Sequence, residues 1–412
     1  MVRISKKQQH SIADWIQSEG RRLADAKAFF DGLNAAFRRA GIPVERALFS
    51  LLVIHPQAAA TGFEWRVDRP TVEIMRERSI RTANAYLRSP IKRIHDGADL
   101  LRARLLGARA SREFPFFDEL RADGFTDYAA FAVAFGNGER NVLTLTTRRP
   151  RGFTAAHIEL VQAVLPLVAM VFEIHWGRRI AEAVLDTYVG QHASRRILSG
   201  AISRGEGERI DAVIWFADMR SFTALSDLRP TDEVIATLNQ FFDALAGAIE
   251  SHGGQILKFM GDGVLAIFPV EDVAFRAYAC RQALEAAIAA HAAVHKLNGE
   301  RAAAGAPILR FNVALHVGVV VYGNIGSAAR LDFTCIGPAV NLTVRIEALA
   351  AKLGAPVVMS AAFAAMVREG RAVVSLGKHP IKGLMSAPEV FTLSEFAPAP
   401  ALVASAPKTA AA

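Results

Sequence analysis

An α+β protein with two folded domains and a helical connector is what the residue pattern dictates, on three grounds. The chain of 412 residues exceeds one ordinary core, and its 52% hydrophobic and 21% charged residues describe a packed globular protein. Residues 1–176 read as helix, antiparallel strands, helix. From Ile210 apolar strands alternate with amphipathic helices around one hairpin, Ile256 to Phe268, whose turn is Gly261-Asp262-Gly263.

In the first region, Ile12, Trp15, Ile16, Leu23, Phe29, Phe30, Leu33 and Phe37 form one helical stripe over residues 11–40, stopped by Gly41-Ile42-Pro43. Strands are expected over Ala47–Ile54 and Gly62–Val67, and a helical pattern over Ala98–Leu106. Tyr128–Phe135 and Asn141–Thr147 form a hairpin across Gly136-Asn137-Gly138, because Asn-Gly favours a tight turn. A helix from Phe153 to about Trp176 presents Ile158, Val161, Leu165, Val168 and Phe172 on one face. Residues 146–160 resemble the end of GAF domains, which implies a GAF-like α/β sensor over 1–176 that answers to a small-molecule or protein signal.

Residues 177–209 form a helical connector: Ile180, Val184 and Tyr188 continue a stripe that Ser199-Gly200 and Gly205-Glu206-Gly207 break. Such a helix either carries a dimer contact and transmits a register change or packs on one domain. In the third region, 210–396, Ala212–Ala217 is apolar enough for burial on both faces. Helices are expected over Thr231–Glu250, Val273–Leu297 and Ala339–Ala351. Strands fall at Leu309–Leu315, Val319–Val321 and near Val357, Val373 and Val390. Residues 397–412 are an Ala/Pro-rich tail without periodicity, expected to be disordered.

The formal charge of +8 is spread along the chain, and the clusters Arg102–Arg112 and Arg148–Arg151 lack the aromatic interleaving of a nucleic-acid surface. Two cysteines, Cys280 and Cys335, make a disulfide framework improbable and suit a reducing cytoplasm. The N-terminus lacks the apolar core of a signal peptide, and the longest apolar run, Val161–Ile174, is short for a membrane span. Nucleic acid and membrane are therefore not expected partners.

Asp262 at the hairpin turn has a counterpart in Asp218, which ends the apolar strand in Phe216-Ala217-Asp218-Met219-Arg220-Ser221-Phe222-Thr223. One such aspartate is ordinary turn chemistry; two at strand ends point to a shared divalent metal site facing phosphate. This stretch, with Lys258-Phe259-Met260-Gly261-Asp262-Gly263 and Asp332-Phe333-Thr334-Cys335-Ile336-Gly337-Pro338-Ala339-Val340-Asn341-Leu342-Thr343-Val344-Arg345, resembles the class III nucleotidyl cyclases, the adenylate and guanylate cyclase family.

The resemblance implies a ferredoxin-like catalytic domain that makes 3′,5′-cyclic AMP and pyrophosphate from ATP. It assigns Asp218 and Asp262, with the backbone carbonyl of Met219, to Mg²⁺ or Mn²⁺, two ions per active site. Amides around Ser221, Phe222 and Thr223 would face phosphate oxygens. Asn341 would orient the ribose, and Arg345 would meet charge on the α-phosphate. Lys258, a donor only, suits adenine N1, and the Thr334 hydroxyl can accept from the exocyclic amine, as in the threonine-bearing adenylate subgroup. Lys382 is the nearest counterpart of the family's triphosphate-binding lysine; Leu384 stands where the usual motif has another lysine. The family shares its sites between two chains, so a homodimer is implied. A guanylate cyclase and a non-enzymatic nucleotide-binding module remain as alternatives.

Overall fold

The computed structural model describes residues 6–52, 58–77, 83–108, 110–381, 383 and 386–398. The chain divides into two compact units, Met1–Val184 and Leu185–Ala412.

The first unit runs α1 (Lys6–Ser18), α2 (Ala26–Arg39), β1 (Arg46–Leu52), β2 (Ala58–Arg66), β3 (Arg69–Glu77), α3 (Asn84–Leu87), α4 (Pro90–His95), β4 (Leu100–Arg104), α5 (Phe116–Ala122), β5 (Asp127–Ala134), β6 (Arg140–Thr147) and α6 (Ala155–Val189). Its strands form one antiparallel sheet in the order β3-β2-β1-β6-β5-β4. Strand alternation sends Ala47, Phe49 and Leu51 into the core with Phe29, Phe30, Leu33, Val168 and Phe172. The rings of Phe49 and Phe172 stack with centroids 3.7 Å apart. The opposite face meets a second core, built from Ile94, Leu105, Phe117, Leu120 and Tyr128.

Three sequence expectations change here. The stripe over 11–40 belongs to two helices, because the chain doubles back so that the Trp15 ring can lie against Gly32. Asp25 restarts the helix by accepting from the Ala28 amide at 2.8 Å. Residues 100–104 are an edge strand paired with β5, not part of a helix. The helix expected to end near Trp176 continues to Val189, where Gly190 at φ 80° stops it. Among the described residues α6 is the one helix long and apolar enough to cross a membrane, yet its Val161, Val164, Val168 and Phe172 are buried in this unit's core. The expected strand at 47–54 is seen to Leu52; residues 53 and 54 lie outside the described residues.

The second unit continues with α7 (Gln191–Leu198), β7 (Gly207–Met219), α8 (Phe222–Leu228), α9 (Thr231–Ser251), β8 (Gln255–Met260), β9 (Gly263–Val270), α10 (Arg276–Ala303), β10 (Phe311–Gly326), β11 (Leu331–Ile336), α11 (Pro338–Leu353), β12 (Val357–Ser360), α12 (Ala361–Val367), β13 (Val373–Lys378) and β14 (Glu389–Leu393). The sheet order is β13-β14-β12-β10-β7-β9-β8, with β11 paired to β10. Within it, β7-α9-β8-β9-α10-β10 is a split βαβ repeat of ferredoxin-like topology: the β8–β9 hairpin inserts β9 beside β7, antiparallel to it. β7 is buried on both faces, as its composition requires. Val213, Trp215 and Ala217 pack with Phe241, Leu245 and Ala287; Ala212, Ile214 and Phe216 pack with Leu257, Leu265 and Ile267. The two strands expected over 309–321 are one, β10, since pairing with β7 runs unbroken from Phe311↔Met219 to Gly323↔Gly207. The tail beyond Pro398 lies outside the described residues.

Candidate active site

The sheet register brings the two aspartates together. Asp218 pairs with Gly263, so Asp262, on the turn just before Gly263, sits next to the end of β7. The turn is tight: Gly261 takes φ 65°, a conformation that side chains resist. At Gly263 a Cβ would come 3.2 Å from both the Ala217 carbonyl oxygen and Asp218 Oδ2, so glycine gives the Asp218 carboxylate its room. Beyond it the chain turns into α8 through Ser221, a non-glycine residue at φ 62°. Phe222 and Thr223 begin that helix.

The electrostatics of this corner are strained. Burial and then the charge of Asp262 push the Asp218 carboxyl up to about 6. Burial also raises Asp262, partly offset by a hydrogen bond from its own backbone N–H. Among the described residues no group of three or more His, Cys, Asp or Glu is arranged to hold a metal ion. A cation here would therefore be held by these two carboxylates with backbone oxygen, for which the carbonyl of Met219 at the strand end is the nearest in sequence. The pair fits a dication, since positive charge would relieve their repulsion, and hard oxygen donors suit Mg²⁺ or Mn²⁺.

A third carboxylate lies within electrostatic reach. Glu347 on α11 is pushed up to about 7 by burial, and the charges of Asp218 and Asp262 add to the rise against a hydrogen bond from Asn312. Asn312 Nδ2 donates to Glu347 Oε1 at 3.1 Å, and Asn312 itself pairs with Asp218 across β10 and β7. Sequence reading passes over Glu347. The available signal is its helical spacing from the buried Thr343 and Ala350, which puts a carboxylate on an inward stripe.

Lys258 and Thr334 form a separate cluster. A register shift between Ile256 and Lys258 re-aims the strand there. Lys258 Nζ then donates to Asp332 Oδ2 at 2.9 Å, two residues before Thr334 on β11. Thr334 is buried, and among the described residues its hydroxyl has no hydrogen-bond partner. Cys335 next to it is core, its thiol pushed up to about 11 by burial. Asn341 and Arg345 share the exposed face of α11. A Cβ at Gly383 would come 3.4 Å from Arg345 Nη1, so that guanidinium lies over the loop. Lys382 lies outside the described residues. The structure thus joins Asp218 with Asp262, and Lys258 with the strand of Thr334, and leaves Asn341 and Arg345 facing solvent.

Residues 206–395 match the family described as the adenylate and guanylate cyclase catalytic domain. They are a class III cyclase catalytic domain. Adenylate cyclase 1 of Rhizobium meliloti is 31% identical to the chain over 207 residues, 50% of this chain and 30% of that protein. An adenylate cyclase of Anabaena cylindrica is 34% identical over 151 residues, 36% of this chain and 29% of the relative. The chain therefore spans less than a third of the length of these relatives. The solved adenylyl cyclase CyaB from P. aeruginosa is 24% identical, covering 46% of this chain and 95% of its own with a TM-score of 0.43. Class III cyclases use divalent metal ions, which agrees with the oxygen donors that the cyclase domain sets at Asp218 and Asp262.

Proposed function

We propose that the chain is an adenylate cyclase that converts ATP to 3′,5′-cyclic AMP and pyrophosphate, works as a homodimer, and is governed by its first unit as a GAF-like sensor. The observation that carries this reading is the Asp218–Asp262 pair, two carboxylates held together at a cost that only a cation or proton relieves. When bound there, two Mg²⁺ or Mn²⁺ ions supply Lewis-acid charge to the ribose 3′-hydroxyl and the triphosphate. Arg345 meets the charge that grows on the α-phosphate, and Asn341 orients the ribose for in-line attack. The backbone at Ser221, Phe222 and Thr223, beside Asp218, faces the triphosphate; Lys382, outside the described residues, is assigned to it by resemblance alone.

Adenine is the base this site is built to read. The Thr334 hydroxyl is buried without a partner, an acceptor waiting for the exocyclic amine, and Asp332 keeps the Lys258 ammonium next to it for N1. Guanine offers a donor at N1, which a lysine meets poorly. Sharing between two copies is supported by the exposure of Asn341 and Arg345. It is supported again by α6, where Met170, Ile174, Gly177, Ala181, Val184 and Tyr188 recur every three or four residues and are all exposed, as in a coiled-coil seam.

The test is product formation by the purified full chain with Mn²⁺ or Mg²⁺ and either ATP or GTP. Cyclic AMP from ATP is expected as the main product. Cyclic GMP as the main product would overturn the base assignment. No cyclic product with either metal would favour a nucleotide-binding module without catalysis.

A further inference from the structure

We infer that the first unit binds a small aromatic carboxylic acid, as its carboxylate, in the cavity between its sheet and helices α3, α4 and α5, with Arg46 as the anchor. The central strands β1 and β6 put most of their apolar residues, Ala47, Phe49, Leu51, Leu143 and Leu145, on the α2/α6 side. Toward α3–α5 they present Arg46, Ser50, Thr144 and Thr146, too small or too polar to fill the space beneath those helices. The unfilled volume is about 590 Å³, within the range of sites that take drug-sized molecules. Its walls are mainly apolar, with Leu48, Ile74, Ile91, Pro115, Phe116 and Tyr128 among them. Phe116, half-buried, offers ring surface to a flat ligand.

Arg46 fixes the ligand's charge. Its Nη2 donates to Glu64 Oε2 at 3.0 Å and its guanidinium lies over the Phe116 ring at 5.5 Å, while its Nε is buried with no partner among the described residues. Arg46 lines the cavity, and a carboxylate oxygen is the strongest acceptor a ligand could offer its guanidinium. Glu64 does not use up the positive charge, because it is shared with Arg66 and Arg69 at 2.8 and 2.6 Å, and Asp123 reaches Arg66 only at 3.5 Å. The rim charges Arg88 and Glu119 are exposed and opposite in sign. The buried surplus is positive.

Calorimetric titration of the full chain with benzoate, phenylacetate and indole-3-acetate, and with the amide of each, tests this without any reference to cyclase activity. At least one acid is expected to bind about tenfold or more tightly than its amide. Arg46→Gln should erase that preference. Ser50→Leu, which keeps Arg46 and narrows the cavity, should weaken binding with an unchanged melting temperature. Equal affinity for acid and amide, an affinity left unchanged by both Arg46→Gln and Ser50→Leu, or no binding by any acid at about millimolar concentration would each overturn the inference.

Discussion

Mixing Asp218→Ala chains with Arg345→Ala chains tests whether one active site is made by two copies. Asp218 ends β7 beside Asp262, whereas Arg345 stands on the exposed face of α11 over Gly383. Each variant alone lacks a charge that acts on the reacting phosphate, a loss of about 10²–10³ in rate. Random re-pairing makes about half of the dimers mixed, and in a two-fold dimer each mixed pair holds one site with both groups and one with neither. The mixture should therefore regain about a quarter of the wild-type rate, far above either variant. Cyclic AMP formation from ATP is the assay, with two affinity tags on the full chain to verify subunit exchange. A mixture that contains mixed dimers but stays at the variants' residual rate would refute the shared site.

Two stability measurements follow from the carboxylates. Asp218 titrates at 3.8 in the unfolded chain and at about 6 in the fold, so its cost to folding is absent below 3.8 and complete above about 6. That displacement corresponds to at most about 3 kcal/mol, reduced to about 1–2 kcal/mol by solvent contact. In chelator at about pH 8, Asp218→Asn should melt about 2–8 °C higher than wild type, with the gain shrinking toward about pH 4. With Mn²⁺ added the wild type alone should be stabilised; a variant that melts lower in chelator, or gains equally from Mn²⁺, contradicts the metal-pair reading. Glu64 has the opposite sign. Burial pushes its carboxyl up, but Arg66, Arg46 and Arg69 together hold it down at about 2, so its stabilisation is present above 4.5 and lost as pH falls toward 2. Glu64→Gln should cost about 1–2 kcal/mol near neutral pH once solvent screening is allowed for, and flatten the acid limb of the melting curve; an unchanged melting temperature would show that the three arginines do not need it.

What is legible in the sequence is what breaks a local pattern for a chemical reason. A strand as apolar as Ala212–Ala217 gains nothing in packing from the aspartate that follows, and the Gly261-Asp262-Gly263 turn repeats the feature one strand away in the sheet. Asn341 and Arg345 share a helix face by their four-residue spacing, which alone is the pattern of a solvated face; the resemblance of the surrounding motif is what singles them out. The misread elements are those decided by distant partners. Leu100, Leu101 and Ala103 fit a helical face as well as an edge strand, and the choice falls to pairing with β5, which lies tens of residues away. The end of α6 is misread near Trp176 because Gly177, the residue type that most often follows a helix, stands there, yet the helix runs through it to Val189 before Gly190.

The two units hide their sites to different degrees for a physical reason. In the second unit the working groups are charges, and a charge at the end of a buried strand stands out against its neighbours whatever the tertiary packing. In the first unit the face of β1 and β6 toward α3–α5 carries Ser50, Thr144 and Thr146 in regular alternation with apolar residues, which is also the pattern of a sheet with one face in water. Sequence cannot separate a hydroxyl-bearing face that meets solvent from one that helices roof over. Only the second encloses a cavity and strands the Nε of Arg46 away from water. On the proposed ligand-binding role of the first unit, specificity is set by tertiary covering, so a substitution in α3–α5 that lifts the roof should weaken affinity for an aromatic acid even where every residue of the sheet is kept.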